Sequence, residues 1–461
     1  MQGLGCQMFN ARNSLRIKVF PAPAPEVYPT KVWRRSLIHE RNPVGKSFRS
    51  THQANPLMWP VLRPRLSFAA HQMSTDFNAA GKMTIGFDAK RLYGNFTGLG
   101  NYSRAIVQNL QRQYPEHQYH LYTTKINRTP ETLPFLQHPD LRTFRTDARL
   151  KAYWRSYAIV NQLRKDGIEL YHGLSNEIPF SLAGSGIRSV VTIHDLIFKT
   201  LPHTYPLVDR MIYDWKFKNS CQKADRVIAI SESTKRDIVD LYGIVPEKIE
   251  VIYQQCNPLF YQPADEALTT QIAQRYQLPT DFLLYVGSIE KRKNLANIVR
   301  AYRHLPPDQQ VPLVVVGRRN DSPYRREVNE LIAASDLEDK VIWITDLEDN
   351  YALQSLYHLA SLLVYPSQYE GFGLPVAEAL LSGTPVVTAN VSSLPEAGGP
   401  QSQYVDPESP EDIAAAIGRV LNDTELRASM VEAGRQYARH TFSPDRVTTQ
   451  LMDCYQRVLA G

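Results

Sequence analysis

The stretch Glu-Gly-Phe-Gly-Leu-Pro-Val-Ala-Glu, from Glu370 to Glu378, is the part of the chain whose residue types and spacing best suit chemistry. An apolar run before it, Leu362–Tyr365, predicts a strand, and Pro375 suits the first turn of a following helix. Glu370 is therefore expected in a loop at the carboxyl end of a strand, with Glu378 about one turn into the helix. Active-site residues of parallel α/β sheets collect at such ends.

Glycines in this loop let the backbone approach a ligand closely. Free amides at a helix N-terminus bind phosphate or sugar oxygens, and here they belong to Phe372, Gly373 and Leu374. Two carboxylates beside such amides suit a phosphorylated, polyhydroxylated ligand. A tight turn carrying a solvated glutamate fits the spacing equally well.

A second candidate is the basic turn Gly-Ser-Ile-Glu-Lys-Arg-Lys-Asn that follows the predicted strand Phe282–Val286. Arg292 and Lys293, placed before a helix, could neutralise a diphosphate, with Ser288 beside them. The alternative is an exposed basic turn without a ligand.

Two weaker signals lie in the first half of the chain. Gly98 and Gly100 follow the first predicted strand and are expected in a loop before a helix, where a plain turn explains them as well. His194 ends the apolar run Ser189–His194, and Asp195 beside it could orient its ring, although a histidine at a strand end is often structural. No serine or cysteine occupies a recognisable nucleophile elbow, which disfavours a hydrolase.

A metal site has no support in the sequence. No D-x-D lies between a strand and a loop, and Asp346 and Asp349 resemble acids at a helix N-terminus. The four cysteines form no C-x-x-C pair, which favours a reducing compartment. We expect neither a metal nor another cofactor.

The elements that position these residues alternate between strand-like and helix-like patterns from Met83 onward. Such alternation predicts parallel sheets built from β-α-β units. A polar, proline-bracketed stretch near residues 262–280 separates two halves. We therefore predict an α/β protein with two Rossmann-like domains facing across a cleft, at residues 83–262 and 263–443. A final helix at 444–461 belongs clearly to neither sheet and is a candidate to cross back to the first domain.

Residues 1–82 are set apart by composition, with twelve Lys/Arg against three acidic residues. The rest of the chain then has 40 basic and 43 acidic residues, which argues against nucleic acid as a partner. The segment reads as a disordered extension or translated upstream sequence, an organelle transit peptide, or a basic arm that touches anionic lipid. No run approaches the ~18 apolar residues of a membrane span.

Several motifs together resemble family 4 retaining glycosyltransferases with the GT-B fold. They are Pro366 to Leu380, Gly383-Thr-Pro-Val-Val387, Ser393-Leu-Pro-Glu396, Tyr285-Val-Gly-Ser288, Lys293-Asn294, Val191 to Asp195 and Ala229 to Thr234. The resemblance extends from about Met83 to the C-terminus, and the two glutamates of Glu370–Glu378 are its most specific part.

The resemblance assigns a role to each candidate. Glu378 would hold the ribose of a donor nucleotide, and Glu370 would lie by the donor sugar. Arg292 and Lys293, across the pocket, would carry the departing diphosphate. Gly98 and Gly100 would let their loop close on the donor and acceptor. His194 would contact the transferring sugar. The amides from Phe372 to Leu374, including that of Gly373, would contact sugar hydroxyls and phosphate. Many members have arginine where this chain has Ser288, so more of the diphosphate charge falls on Arg292 and Lys293.

Further stretches, Asp88 to Leu92 and Val251 to Cys256, resemble bacterial mannosyltransferases of surface-polysaccharide assembly. This favours GDP-mannose among nucleotide sugars and a glycan or lipid-linked oligosaccharide acceptor. It also implies a cytoplasmic enzyme in peripheral contact with the inner face of the cell membrane. A sugar-nucleotide epimerase of the same architecture and a non-catalytic sugar-nucleotide-binding protein remain as alternatives.

Overall fold

The computed structural model describes residues 81–318, 321–347 and 349–461. The predicted N-terminal extension lies, up to residue 80, outside the described residues. The described chain forms two parallel sheets with helices on their faces. This confirms the predicted α/β class.

The first sheet has seven strands in the order β3-β2-β1-β4-β5-β6-β7. Its strands are β1 Thr84–Asp88, β2 Gln118–Thr123, β3 Leu141–Arg145, β4 Leu170–Gly173, β5 Arg188–Ile193, β6 Arg226–Ala229 and β7 Ile249–Val251. The helices between them are α1 Lys90–Gly94, α2 Gly98–Gln113, α3 Leu133–Gln137, α4 Lys151–Tyr153, α5 Ile159–Lys165, α6 Ile197–Thr200, α7 Leu207–Lys223 and α8 Glu232–Tyr242.

The second sheet has six strands in the order β10-β9-β8-β11-β12-β13. Its strands are β8 Leu283–Val286, β9 Leu313–Val316, β10 Val341–Ile344, β11 Leu362–Tyr365, β12 Val386–Ala389 and β13 Gln403–Val405. The accompanying helices are α9 Glu266–Arg275, α10 Leu295–Ala301, α11 Pro323–Ala333, α12 Asn350–Leu359, α13 Leu374–Ser382, α14 Leu394–Gly398, α15 Pro410–Asn422, α16 Thr424–Thr441 and α17 Pro444–Ala460.

Inner strands were predictable because both of their faces are covered. In β8, β9, β11 and β12 every residue is buried, so each strand reads as a continuous apolar run. The edge strands β3 and β13 were not predicted, since they carry partly exposed polar side chains.

The last helix, α17, packs on the first sheet rather than the second. Its buried face contributes Val447, Leu451 and Tyr455 to the same core as Ile85 and Leu170. The Tyr455 hydroxyl is also 2.6 Å from Nδ1 of His172 on β4. The chain therefore returns to its first sheet after completing the second.

Candidate functional site

Glu370 is the centre of the site, because four donors converge on one of its oxygens. Its Oε1 lies 2.8 Å from Nη1 of Arg292 and 2.7 Å from Nζ of Lys293. The hydroxyls of Tyr365 and Ser367 donate to the same oxygen at 2.9 and 2.8 Å. Among the described residues no hydrogen bond reaches Oε2, so this oxygen can accept from a ligand hydroxyl.

Strand order explains why these residues meet. Strands β8 and β11 are neighbours in the second sheet, and their carboxyl ends lie at the same edge. Arg292 and Lys293 follow β8, whereas Glu370 follows β11. The predicted cations therefore do not lie across a pocket from the glutamate but contact it directly, which corrects the separation expected from the sequence.

The charges of this cluster act on each other strongly. Burial opposes ionisation of Glu370, but Lys293 and Arg292 outweigh it and lower the Glu370 pKa to about 2. Burial lowers the pKa of Lys293, and Glu370 offsets part of that effect. The three side chains together carry one net positive charge, which suits an anionic ligand.

Two serines from the next strand-helix junction hold the loop around Glu370. Ser393 Oγ donates to the carbonyl oxygens of Glu370 and Phe372, both at 2.8 Å, and Ser392 Oγ accepts from the Glu370 amide at 3.0 Å. Gly373 has a φ of 109° just before α13, a conformation that favours glycine. The loop is thus fixed before any ligand arrives.

Phe372, Gly373 and Leu374 occupy the predicted helix start. Leu374 is the first residue of α13, and Gly373 lies immediately before it. The Phe372 side chain, 3% exposed, packs against Tyr253 and Phe442. Only the backbone of Phe372 is therefore available to a ligand.

Glu378 lies in a different environment from Glu370. Its Oε2 accepts a 3.2 Å hydrogen bond from the Tyr357 hydroxyl. Burial raises the Glu378 pKa from 4.5 to about 8, and the Tyr357 hydrogen bond offsets this only in part. The side chain is therefore largely protonated at neutral pH. None of the described contacts joins it to the Glu370 cluster.

The sequence predicted His194 as the last residue of a strand. In the structure β5 ends one residue earlier, and His194 follows it directly. Its Nε2 donates to the Leu174 carbonyl at 2.9 Å, and its Nδ1 accepts from the Gln254 side chain at 3.1 Å. Burial lowers the His194 pKa to about 4, so the ring is neutral. Both ring nitrogens have protein partners here, and the expected contact with a sugar remains a prediction.

Gly371 is where the two sheets' loops touch. A Cβ added there would lie 2.2 Å from the His194 carbonyl oxygen. The Gly371 carbonyl accepts a 2.8 Å hydrogen bond from Ser231 Oγ. Nearby, Glu396 accepts from the Glu232 and Ser233 amides at the start of α8, at 2.6 and 2.8 Å. The catalytic candidates of the second domain therefore lie against the first.

A cavity of about 570 Å³ opens beside the cluster at the carboxyl ends of β8, β9 and β10. Gly287, Ser288, Gly317 and Arg318 line it, and Thr97 reaches it from the first domain. The Ser288 side chain is exposed, while its carbonyl accepts from the Tyr285 hydroxyl at 3.0 Å. The volume and mixed lining suit a nucleotide-sized ligand.

The sequence predicted a loop before a helix for the glycine pair, and the structure differs. Gly98 and Gly100 lie in the first turn of α2. Asn95 Oδ1 accepts from the amides of Thr97 and Gly100 at 2.9 and 3.0 Å. A Cβ on Gly100 would lie 1.7 Å from the Asn95 carbonyl oxygen, so backbone packing requires glycine there.

Sequence reasoning missed the partners that hold these residues in place. Ser367 was named only within a motif and Tyr365 only as the end of a predicted strand, although their position at a strand end could have suggested a role. Gln254 and Glu396 gave no signal of their own, because their partners are distant in sequence. Gln254 contacts His194 within the first half of the chain, and Glu396 contacts the α8 amides across the two halves.

Within the described part of the chain, no three His, Cys, Asp or Glu side chains come together as metal ligands. The expectation of no metal stays a prediction. Among the same residues, no helix is both long and apolar enough to cross a membrane.

Comparison with known proteins decides the family. The family described as "Glycosyl transferases group 1" matches residues 270–437, and "Glycosyltransferase Family 4" matches residues 96–255. The O-antigen chain mannosyltransferase B of Escherichia coli is 30% identical over 396 residues, covering 81% of this chain and 100% of that protein. This chain belongs to the same glycosyltransferase family.

Other relatives agree with that assignment. O-antigen chain mannosyltransferase RfbU of Salmonella typhimurium is 27% identical over 55% of this chain and 66% of its own length. This glycosyltransferase is thus an enzyme of sugar transfer. The epimerase and the non-catalytic binding protein, both left open by the sequence, find no support among these relatives.

Solved structures agree on the fold. The Anabaena protein HepE, solved with UDP and glucose, superposes with a TM-score of 0.65 at 18% identity, over 81% of this chain and 100% of that one. A glycosyltransferase from Rickettsia africae gives 0.64 at 17% identity, over 82% and 99%. The two-sheet architecture is the GT-B fold.

Proposed function

We propose that this glycosyltransferase moves mannose, with retention of configuration, from GDP-mannose to a glycan or lipid-linked oligosaccharide acceptor. The cluster of Arg292, Lys293 and Glu370, set where the two domains touch, is the observation that carries the proposal. Support for mannose comes from the full-length similarity to a protein named as a mannosyltransferase. Support for a nucleotide donor comes from the cavity beside the cluster.

The cations stabilise the leaving group in this mechanism. A nucleotide diphosphate that departs from a sugar develops negative charge, and fixed positive side chains lower the barrier most when they are placed beforehand and partly buried. Arg292 and Lys293 are 13% and 12% exposed. Their charge makes a divalent cation unnecessary in the proposal.

Glu370 positions the donor sugar rather than attacking it. Its Oε1 is engaged by four donors, and the carboxyl pKa is about 2, which makes this oxygen a weak base and a weak nucleophile. Oε2 accepts from a sugar hydroxyl. With Oε1 held by protein donors and Oε2 bound to a sugar hydroxyl, front-face attack by the acceptor hydroxyl is favoured over a covalent sugar-enzyme intermediate.

A thermal-shift panel on the full chain tests the donor. The compounds are GDP, GDP-mannose, UDP, UDP-glucose, ADP and ADP-glucose. A ligand at 100 times its Kd adds ~2.7 kcal/mol to the free energy of unfolding, so we expect GDP and GDP-mannose to raise Tm by a few degrees and the others to act weakly. A larger shift with uridine or adenine nucleotides would show that the donor is wrong, and no shift with any compound would remove the proposed nucleotide site.

A further inference from the structure

Asp195 is a carboxylate of the first domain that the donor-binding cluster leaves without a role. It follows His194 at the carboxyl end of β5, and its side chain is partly exposed. The sequence suggested that Asp195 could orient the His194 ring. In the structure the two ring nitrogens are hydrogen-bonded to Leu174 and Gln254 instead, and none of the described hydrogen bonds joins Asp195 to the ring. The carboxylate is therefore available for another task.

One oxygen of the Asp195 carboxylate is engaged by the protein and the other is not. Oδ1 accepts a 3.1 Å hydrogen bond from the Ile197 amide at the start of α6. Within the described part of the chain, no hydrogen bond or ion pair reaches Oδ2. A carboxylate held at one oxygen presents the other in a fixed direction, where it can accept from a bound hydroxyl.

Asp195 lies at the junction of the two domains, against the loop that carries Glu370. A Cβ added to Gly371, the residue after Glu370, would lie 3.0 Å from the Asp195 Cβ and 2.2 Å from the His194 carbonyl oxygen. Only the missing side chain of Gly371 allows this approach. Because the second domain holds the donor in the proposed function, an acceptor that comes from the side of the first domain meets Asp195 where it meets the donor sugar.

Charged groups from both domains act on Asp195. Desolvation at the junction raises its pKa above the usual value, and the Ile197 amide and Arg292 offset this only in part. Glu370 and, on α8, Asp237 raise the pKa further. The carboxylate therefore has a higher proton affinity than an ordinary aspartate, which suits a general base near neutral pH.

Front-face attack sets a requirement that this position meets. A hydroxyl that attacks with retention approaches on the face from which the diphosphate departs, so the group that takes its proton must lie near the leaving-group cations. Arg292, one of those cations, lies 2.8 Å from Glu370, and Asp195 abuts the next residue of the same loop. A base on the opposite face of the sugar would serve inversion instead.

We propose that Asp195 binds the attacking hydroxyl of the acceptor and takes its proton. In that step the acceptor oxygen bonds to the anomeric carbon of the sugar, the bond from that carbon to the diphosphate oxygen breaks, and the diphosphate leaves with the electron pair. The hydroxyl proton passes to Oδ2 of Asp195, which releases it to water after the products leave. The inference rests on the proposed function and adds to it the group that receives the proton.

Asp195→Asn tests this role, because the amide keeps an oxygen that can accept from Ile197 but cannot take a proton. The control is Asp240→Asn, which removes an exposed carboxylate of α8 in the same domain. Calorimetry measures the Kd of GDP-mannose, and labelled GDP-mannose reports mannose transfer to octyl α-mannopyranoside and to water. We expect Asp195→Asn to lower both transfer rates at least ~100-fold. Its Kd for GDP-mannose and its Tm should match those of the parent, and the control should behave as the parent in every measurement.

Two outcomes would overturn the inference. Transfer rates of Asp195→Asn close to those of the parent would show that another group receives the proton. A weakened binding of GDP-mannose that accounts for the lost transfer would show that Asp195 supports the donor rather than the acceptor. A parent that neither binds nor turns over GDP-mannose would count against the proposed donor alone, and the same three proteins would then be compared with the nucleotide sugar that gives the largest thermal shift.

Discussion

Two glutamates eight positions apart differ in protonation because their neighbours differ. Glu370 lies against Arg292 and Lys293, and its pKa is about 2. Glu378 is half-buried beside the Tyr357 hydroxyl, and desolvation raises its pKa to about 8. The sequence identified both carboxylates as candidate site residues but could not distinguish their protonation states. The cations that keep Glu370 ionised lie 77 and 78 positions earlier in the chain.

Replacing Glu378 by glutamine should change how stability depends on pH. Between pH 4.5 and 8 the folded protein holds a proton that the unfolded chain has released. The free energy of unfolding therefore falls as pH rises through that window, by up to ~1.4 kcal/mol per pH unit. Glutamine cannot ionise, so Glu378→Gln should gain Tm relative to the parent at pH 8 but not at pH 4.5. Parallel Tm profiles for the two proteins between these pH values would contradict a raised pKa of the Glu378 carboxyl.

The loops between strand ends and helix starts bring the candidate site residues together. Buried inner strands such as β8 and β11 were predictable as apolar runs, and so were the loops that follow them. The pairing of Glu370 with Arg292 and Lys293 was not, because it depends on β8 and β11 being neighbours although two strands separate them in sequence. The sequence predicted that α2 begins after Gly100, whereas it begins at Gly98. The prediction was late because glycines usually indicate a turn.

Gly100 and Gly98 of α2 offer a matched pair of substitutions. The Gly100→Ala methyl would overlap the Asn95 carbonyl oxygen, and no side-chain rotation relieves a backbone overlap, so we expect a loss of about 1–3 kcal/mol. At Gly98 an added Cβ meets nothing within 4 Å, so Gly98→Ala should be neutral or stabilising by up to ~1 kcal/mol. Urea unfolding measures both variants. Equal losses would show that the Asn95 contact does not determine the requirement for glycine.

Over the whole molecule, the chain ties its two domains together at several points. Glu396 of the second domain accepts from the first amides of α8, and α17 completes the core of the first sheet after the second is built. The periodicity of the sequence anticipated two sheets and a last helix. Which surface that helix covers is settled by packing between segments more than 250 residues apart.

In the proposed mechanism, the cation cluster at the domain junction drives mannose transfer. The direct measurement is the rate of labelled mannose transfer from GDP-mannose to lipid-linked saccharide acceptors by the parent, Lys293→Met and Lys291→Met. Lys291 lies in the same short turn but is exposed, so it controls for charge and local structure. We predict that Lys293→Met lowers kcat at least ~100-fold, with Tm showing that it is folded, while Lys291→Met stays within about threefold. A folded Lys293→Met enzyme with near-parental kcat, or an equal loss in Lys291→Met, would show that the Lys293 charge does not drive the transfer.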